Sequence, residues 1–303
     1  MNLILGSHVS MSKKNKYLVG AVKEMLEYNA TTLMIYTGPP QNTKRTDLEL
    51  MDIKAGLKLA AEHGIDSSNF VIHAPYIINL ATFKEDNRKF ATQFLIEELR
   101  RAAGMGIDKV VLHPGSFVGQ TLAQGIEHLI NSLNFVLQRT EHLNVTICLE
   151  TMAGKGNEIG RNFEELAAVI QGCNNHRLLG VCLDTCHVHD AGYDLRQKEQ
   201  ILTNFDQTIG LDRLKVLHIN DSKNSQGSRK DRHENIGYGK IGFKTLLEWI
   251  YEPKFVNLPK ILETPFVEIS SPKNPQALIS VPPYKYEIEA IKQKQWKQKL
   301  IGK

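Results

Sequence analysis

The chain has 303 residues, 42% of them hydrophobic, and a formal net charge of +4. That length buries a large core and admits one α/β barrel or two ordinary domains, and the composition is globular, neither disordered nor fibrous. No apolar run approaches the roughly 20 residues of a membrane span, and the mild basic excess permits a polyanionic partner without requiring one. No Pro/Ser-rich linker divides the chain, so a single domain over 1–303 is expected, with 267–303 as a C-terminal loop and a final basic helix. The amino-terminal apolar patch is too short for a signal peptide, and its basic residues follow it instead of preceding it. Cys148, Cys173, Cys182 and Cys186 show no framework spacing, which points to a reducing cytoplasm and a packing role.

Apolar, β-rich runs recur in order: LILGSHVS from Leu3, TTLMIYT from Thr31, NFVIHAP from Asn69, KVVLHPG from Lys109, VTICLET from Val145, LLGVCLDT from Leu178, RLKVLHIND from Arg213 and PKILETP from Pro259. Amphipathic segments lie between them, among them YLVGAVKEMLEYN, LELMDIKAGLKLAAEHG, FATQFLIEELRRAAGMG, GIEHLINSLNFVLQRTEH and NFEELAAVIQGC, with apolar residues near helical spacing. Eight such alternations predict parallel strands with right-handed crossovers, closed into a (β/α)8 TIM barrel. An open doubly wound sheet is the alternative, but GSHVS after the first strand is not a glycine-rich phosphate loop. In the tail, SSPKNPQ reads as loop and YKYEIEAIKQKQWKQKL as a basic amphipathic helix with Ile288 and Ile291 packed inward.

The strand ends carry the chemistry. His8, His73, His113, Glu150, Asp184, His218 and Glu263 close seven of the eight runs. In a closed barrel these side chains converge on the carboxyl-end face. Each alone is as well read as a hydrogen-bonded structural residue, but so many acids and imidazoles buried at one mouth require cations to offset their cost. The densest stretch is VCLDTCHVHDAGYD, residues 181–194, where a buried strand delivers Asp184, His187 and His189 before Gly192 ends the segment. Carboxylates and imidazoles of this kind suit a divalent cation such as zinc, held at about 2 Å. The polar segment after His218 adds Asp231 and His233, which face one side if the chain there is extended. With His187 as a third donor, a further ion site is expected; the plain alternative is an inert charged loop.

Through GSHVS, HAPYIINL, LHPGS, LETMAGKGNEIG, CLDTCHVHDAGYDL, HINDSK, GSRKDRHENIGYGKIG and ILETP, the chain resembles the endonuclease IV family of zinc-dependent apurinic/apyrimidinic endonucleases, over nearly its whole length to about Phe266. The resemblance implies three zinc ions. His73, His113 and Glu150 would hold the first; Glu150 would bridge to the second, completed by Asp184, His218 and Glu263; His187, Asp231 and His233 would hold the third. His189 and His8 stay outside this set as supporting groups, Cys186 as packing, and His63, His128, His142 and His176 as surface residues.

The implied reaction is hydrolysis of the phosphodiester 5′ to an abasic deoxyribose in duplex DNA, leaving a 3′-hydroxyl and a 5′-deoxyribose phosphate, with cleaning of blocked 3′ ends as an accompanying activity. Metal activation of water removes the need for a Ser or Cys nucleophile. Glu263 is the candidate for orienting or deprotonating that water, and Glu150 is the rival. Arg229, Lys230 and Arg232, with Lys44 and Arg45, suit phosphate contacts; the bland reading of each is a solvated charge. Tyr76 and Ile77 resemble the family's residues that fill the gap at an abasic site, and Gln41 or Asn42 stands where some relatives insert an arginine. Rim packing is the alternative role for Tyr76 and Ile77. A monomer is expected. The competing functions are a metal-dependent sugar isomerase or epimerase on the same fold, and a lesion-binding module with structural metals.

Overall fold

A computed structural model describes residues 3–271 and 274–301. In chain order the main elements are β1 (Leu5–His8), α1 (Leu18–Glu27), β2 (Thr32–Ile35), α2 (Ile53–Glu62), β3 (Val71–His73), α3 (Glu85–Gly104), β4 (Lys109–Leu112), α4 (Leu122–Thr140), β5 (Thr146–Glu150), α5 (Phe163–Gly172) and β6 (Leu179–Asp184). They continue with α6 (Thr185–Ala191), α7 (Lys198–Thr208), β7 (Leu214–His218), β8 (Asp221–Ser222), β9 (His233–Glu234), α8 (Phe243–Ile250), β10 (Lys260–Leu262), β11 (Val267–Ser271), β12 (Asn274–Val281) and α9 (Tyr284–Gln293). The strands β1-β10-β7-β6-β5-β4-β3-β2 pair in parallel and close into a barrel, so the expected (β/α)8 architecture is the observed one.

Two apolar layers hold it. Met34, Val71, Val111, Cys148, Cys182, Val216 and Ile261 form one cluster, each on a different strand, and fill the barrel interior. Their strand neighbours Leu33, Ile35, Ile72, Val110, Leu112, Ile147, Leu149, Leu183, Leu217 and Leu262 belong to the larger cluster between barrel and helices. This is the two-residue alternation of a strand whose faces are both buried. The alternation also builds the mouth. Two residues beyond Val71, Val111, Cys148, Cys182, Val216 and Ile261 stand His73, His113, Glu150, Asp184, His218 and Glu263, so the inward-facing series turns from apolar to ionisable at the carboxyl end of each strand.

Helix ends are set locally. Thr121 and Gln124 form a reciprocal capping box on α4. Asp184 caps α6 by accepting from His187 N at 2.8 Å, so residues 185–191, which the sequence suggests only as a short polar segment, are one compact helix ended by Gly192 at φ 122°.

Two expectations change. The tail is expected as loop until its last helix, but β11 and β12 form an antiparallel hairpin, with Val267 opposite Val281 and Ile269 opposite Ile279. Of the expected loop SSPKNPQ, Pro272 and Lys273 lie outside the described residues. The final helix ends at Gln293, because Lys294 takes a left-handed conformation (φ 54°); Ile288 and Ile291 are fully buried as expected.

Candidate metal centre

The nine predicted ligands meet at the mouth. Donor atoms of His73, His113 and Glu150 lie within 4.8 Å of one another, as do those of Glu150, Asp184, His218 and Glu263, and those of His187, Asp231 and His233. Glu150 is the hub, and 1% of its side chain is exposed. Its Oε2 lies 3.3 Å from His73 Nε2 and 3.1 Å from His113 Nε2. Its Oε1 lies 3.0 Å from His218 Nδ1 and 3.4 Å from His187 Nδ1. His218 Nδ1 is also 2.9 Å from Glu263 Oε2. The outer set sits to one side, with His187 Nε2 3.1 Å and His233 Nε2 3.6 Å from Asp231 Oδ1.

The chemistry of the donors fits divalent cations. His73 Nδ1 donates to the Ala74 carbonyl at 2.7 Å, His187 Nδ1 to Thr151 at 2.8 Å and His233 Nδ1 to Glu263 at 3.2 Å. A proton fixed on Nδ1 leaves the Nε2 lone pair facing the carboxylates, which is how ligating histidines are oriented. His233 Nε2 and His218 Nε2 are buried without hydrogen-bond partners, an arrangement that is costly for a purely structural imidazole.

Without cations, protons occupy the cluster. Burial disfavours charge on His187, but Asp184, Asp231 and Glu150 together outweigh it and raise its pKa well above the ordinary imidazole value. At His218 burial is likewise overcome, by Cys182, Glu263 and Glu150. Burial would raise Glu150, yet His218 and His113 hold it well below the usual carboxylate range; His218 and His73 do the same for Glu263. At Asp231 burial is overcome by His187 and His233, which bring it down to about 2. His8 is the exception: burial drives it down to about 4, so it is neutral. Its ring stands 5.0 Å from that of Tyr36, beside the cluster but outside it.

Asp231 and His233 converge by a route other than the expected extended chain. Asp231 is left-handed at φ 53°, its N–H donates to Asp190 Oδ2 at 2.9 Å, and only His233–Glu234 is strand. His189 is buried, with Nε2 3.1 Å from the Asn224 carbonyl, so it is a packed residue and not a rim residue. The positioning residues were not singled out from the sequence. Asn220 donates to Asp184 Oδ2 at 2.7 Å and accepts from Glu263 N at 2.8 Å, which ties two ligands of one set together. Asp190 accepts from Ser222 Oγ at 2.6 Å as well as from Asp231 N. Asp221 accepts backbone N–H groups from Gly237, Gly239 and Ile241, which folds the loop that returns His233 to the mouth. The available signal was the polar HIND sequence directly after a ligand.

Around the mouth, Lys44, Arg229, Lys230, Arg232, Gln41 and Asn42 are exposed or partly exposed. Tyr76 is 51% exposed, while Ile77 is half-buried against the core. Arg45 departs from its expected role as a phosphate contact. Its side chain is 8% exposed, and its Nε is paired with the fully buried Glu98 at 2.6 Å. A guanidinium committed to a buried carboxylate is withdrawn from the DNA-facing surface.

A parallel eight-stranded barrel with an acid–imidazole cluster at its carboxyl-end mouth defines a metal-binding barrel of the xylose isomerase type. The family profile described as "Xylose isomerase-like TIM barrel" matches residues 22–294. A "Probable endonuclease 4" of Acholeplasma laidlawii is 49% identical over 302 residues, with 99% of each chain covered. One of Staphylococcus aureus strain JH9 is 50% identical over 303 residues, again with 99% of each covered. Among solved structures, endonuclease IV from Thermus thermophilus superposes with a TM-score of 0.76 at 29% identity, covering 95% of this chain and 97% of that one. A D-tagatose 3-epimerase-like protein shares the fold alone, with a TM-score of 0.70 at 19% identity and 96% of each chain covered. The chain belongs to the endonuclease IV family.

Proposed function

We propose that this protein is a DNA repair endonuclease that hydrolyses the phosphodiester 5′ to an abasic site in duplex DNA, leaving a 3′-hydroxyl and a 5′-deoxyribose phosphate, and that it also clears blocked 3′ ends. The observation that carries this reading is the convergence of nine donors in three overlapping sets at one mouth, in a chain about half identical to proteins named endonuclease 4. Three zinc ions per chain match the sets: His73, His113 and Glu150; Glu150, Asp184, His218 and Glu263; His187, Asp231 and His233. Zinc, when bound, supplies Lewis acidity that makes hydroxide available near neutral pH and neutralises charge on the phosphate and on the departing 3′ oxygen.

The protein's own groups divide the remaining work. Glu150 has both oxygens facing imidazoles and is buried, which suits a bridging ligand. Glu263 is 19% exposed where Glu150 is 1% and Asp184 0%, so of the second set it reaches furthest toward solvent. That favours Glu263 over Glu150 as the group that orients the attacking water and takes its proton. Lys44, Arg229, Lys230 and Arg232 meet backbone phosphates, which positions duplex without reading its sequence. Tyr76 and Ile77 enter the gap left by the missing base, with Gln41 or Asn42 beside them.

The test is strand cleavage of a synthetic duplex with one abasic site, with a ketose as control substrate. Nicking on the 5′ side of the lesion is expected, together with about three zinc equivalents per chain. Glu263→Gln should lower the rate by about 10²-fold or more, the range of general acid–base contributions, with DNA binding retained. Ketose turnover without nicking would end the reading in favour of an epimerase, and binding without turnover would favour a lesion-binding module.

A further inference from the structure

The connection from β2 to α2 borders the mouth, yet its own backbone does little to hold it. Among the described residues, the backbone–backbone bond inside 38–46 is Asn42 N to Pro39 O, at 3.4 Å. One side chain takes over that task. Arg45 Nη1 donates to the carbonyls of Pro39 (3.4 Å), Asn42 (3.1 Å) and Lys44 (3.0 Å), gathering the loop around a single guanidinium. The guanidinium is anchored in turn to α3, where Nε donates to Glu98 Oε1 at 2.6 Å and the plane lies 4.8 Å from the centre of the Phe94 ring. The other carboxylate oxygen of Glu98 accepts from Thr37 Oγ1 at 2.6 Å, and Arg101, on the same helix face, donates to the Thr37 carbonyl at 3.4 Å. The loop is thus fastened at both ends to one buried carboxylate.

What it walls is functional space. A cavity of about 340 Å³ opens beside the cluster, lined among others by His8, Tyr36, Gly38, Pro39, Pro40 and Phe266. The Tyr36 ring is 5.3 Å from that of His73. Gly38 packs so closely on the pin that a Cβ there would lie 2.8 Å from Arg45 Nη1. An arginine is suited to this role because its planar fork holds several acceptors at fixed angles and stays charged when buried; a lysine offers no such fork.

We infer that Arg45 and Glu98 are positioning residues for substrate recognition: their buried pair fixes residues 38–44 as the wall of this cavity and presents Gln41, Asn42 and Lys44 to the duplex. The inference rests on the abasic-DNA reading above. It assigns Arg45 to the loop's architecture and leaves the phosphate contact to Lys44.

The experiment compares the zinc-loaded wild type with Arg45→Met, which keeps bulk but loses every donor, and with Glu98→Gln, which keeps acceptor and fold but removes the charge. KM for the abasic duplex should rise about tenfold in Arg45→Met, the cost of ordering one or two side chains on binding, and less in Glu98→Gln. In both, kcat should stay within about twofold, the pattern of lost ground-state positioning, with zinc content unchanged. Hydrogen exchange should show residues 38–46 losing protection while the barrel strands keep theirs. A purely structural pair would lower the melting temperature and leave KM where it was, and that result overturns the inference, as does unchanged protection of the loop. Should Arg45→Met fail to fold, Glu98→Gln carries the same comparison. A wild type that does not nick abasic DNA refutes the proposed activity, whereas the exchange measurement on the same protein decides separately whether the pair holds the loop.

Discussion

Asn220 is the residue whose removal most directly tests how the mouth is held. It is fully buried, and its amide engages two ligands of the second set: Nδ2 donates to Asp184 Oδ2 at 2.7 Å, and Oδ1 accepts from Glu263 N at 2.8 Å. Asn220→Ala removes a bond to a charged acceptor, worth about 1.5–3 kcal/mol, and strands a buried backbone donor at a further cost of about 1–3 kcal/mol. The two losses are close enough to share relaxation and do not simply add, so a destabilisation of about 2–5 kcal/mol is expected. Supporting partners of ligands typically set about 10–100-fold of metal affinity, and that factor is expected here for the set containing Asp184 and Glu263. Asn220→Asp separates the two roles. It keeps the acceptor for Glu263 N but points a second carboxylate at Asp184, a repulsion that a bound cation relieves. Urea unfolding of chelator-treated protein reads the first quantity, and competitive zinc titration reads the second. If Asn220→Ala unfolds at the wild-type urea midpoint and binds zinc as tightly, the reasoning that Asn220 organises the mouth is wrong.

Glu287 on α9 gives a pH signature: burial, only partly countered by hydrogen bonds from Thr264, Ile236 and Asn235, raises its pKa from 4.5 to about 7. A raised folded pKa means its stabilising contribution is full below the unfolded value and is lost as pH rises through about 7, a change of about 3 kcal/mol. Glu287→Gln should therefore flatten the difference between urea midpoints at pH 5 and pH 8 measured on chelated protein, and a pair of identical slopes would contradict the assignment. Zinc uptake near neutral pH should release protons, because His187 and His218 are held protonated above the ordinary imidazole range by the carboxylates around them. Calorimetry in two buffers of different ionisation enthalpy measures this, and buffer-independent heats would count against it. Gly239→Ala would place a Cβ 2.4 Å from Asp221 Oδ1, against the carboxylate that folds the loop bearing Asp231 and His233. The third zinc should be lost and the first two retained, by atomic spectroscopy; three retained ions would show that the loop does not depend on this packing.

Much of the fold was readable because its signals are local. Each barrel strand is a short apolar run, and the switch from Val216 to His218 or from Cys148 to Glu150 is written two residues apart, at the spacing by which a strand presents one face. The ligand sets were legible for the same reason, combined with a family resemblance that spans nearly the whole chain. The hairpin of β11 and β12 was not, since SSPKNPQ carries turn residues on its own account and its pairing depends on Val281 and Ile279 beyond it. Arg45 misled because a basic residue in a polar loop looks solvated until its partner, 53 positions away, is known.

The sequence alone therefore determined which strands exist, which of their residues face inward, and which acids and imidazoles arrive at the mouth, because strand periodicity converts spacing into direction. Tertiary structure alone decided who holds whom. That Asn220 couples Asp184 to Glu263, that Asp221 folds the loop carrying His233, and that Glu98 withdraws Arg45 from the surface are contacts between segments far apart in the chain. Hydrogen-bond partners depend on distances of a few tenths of an ångström between such segments, and no local pattern of residues encodes them.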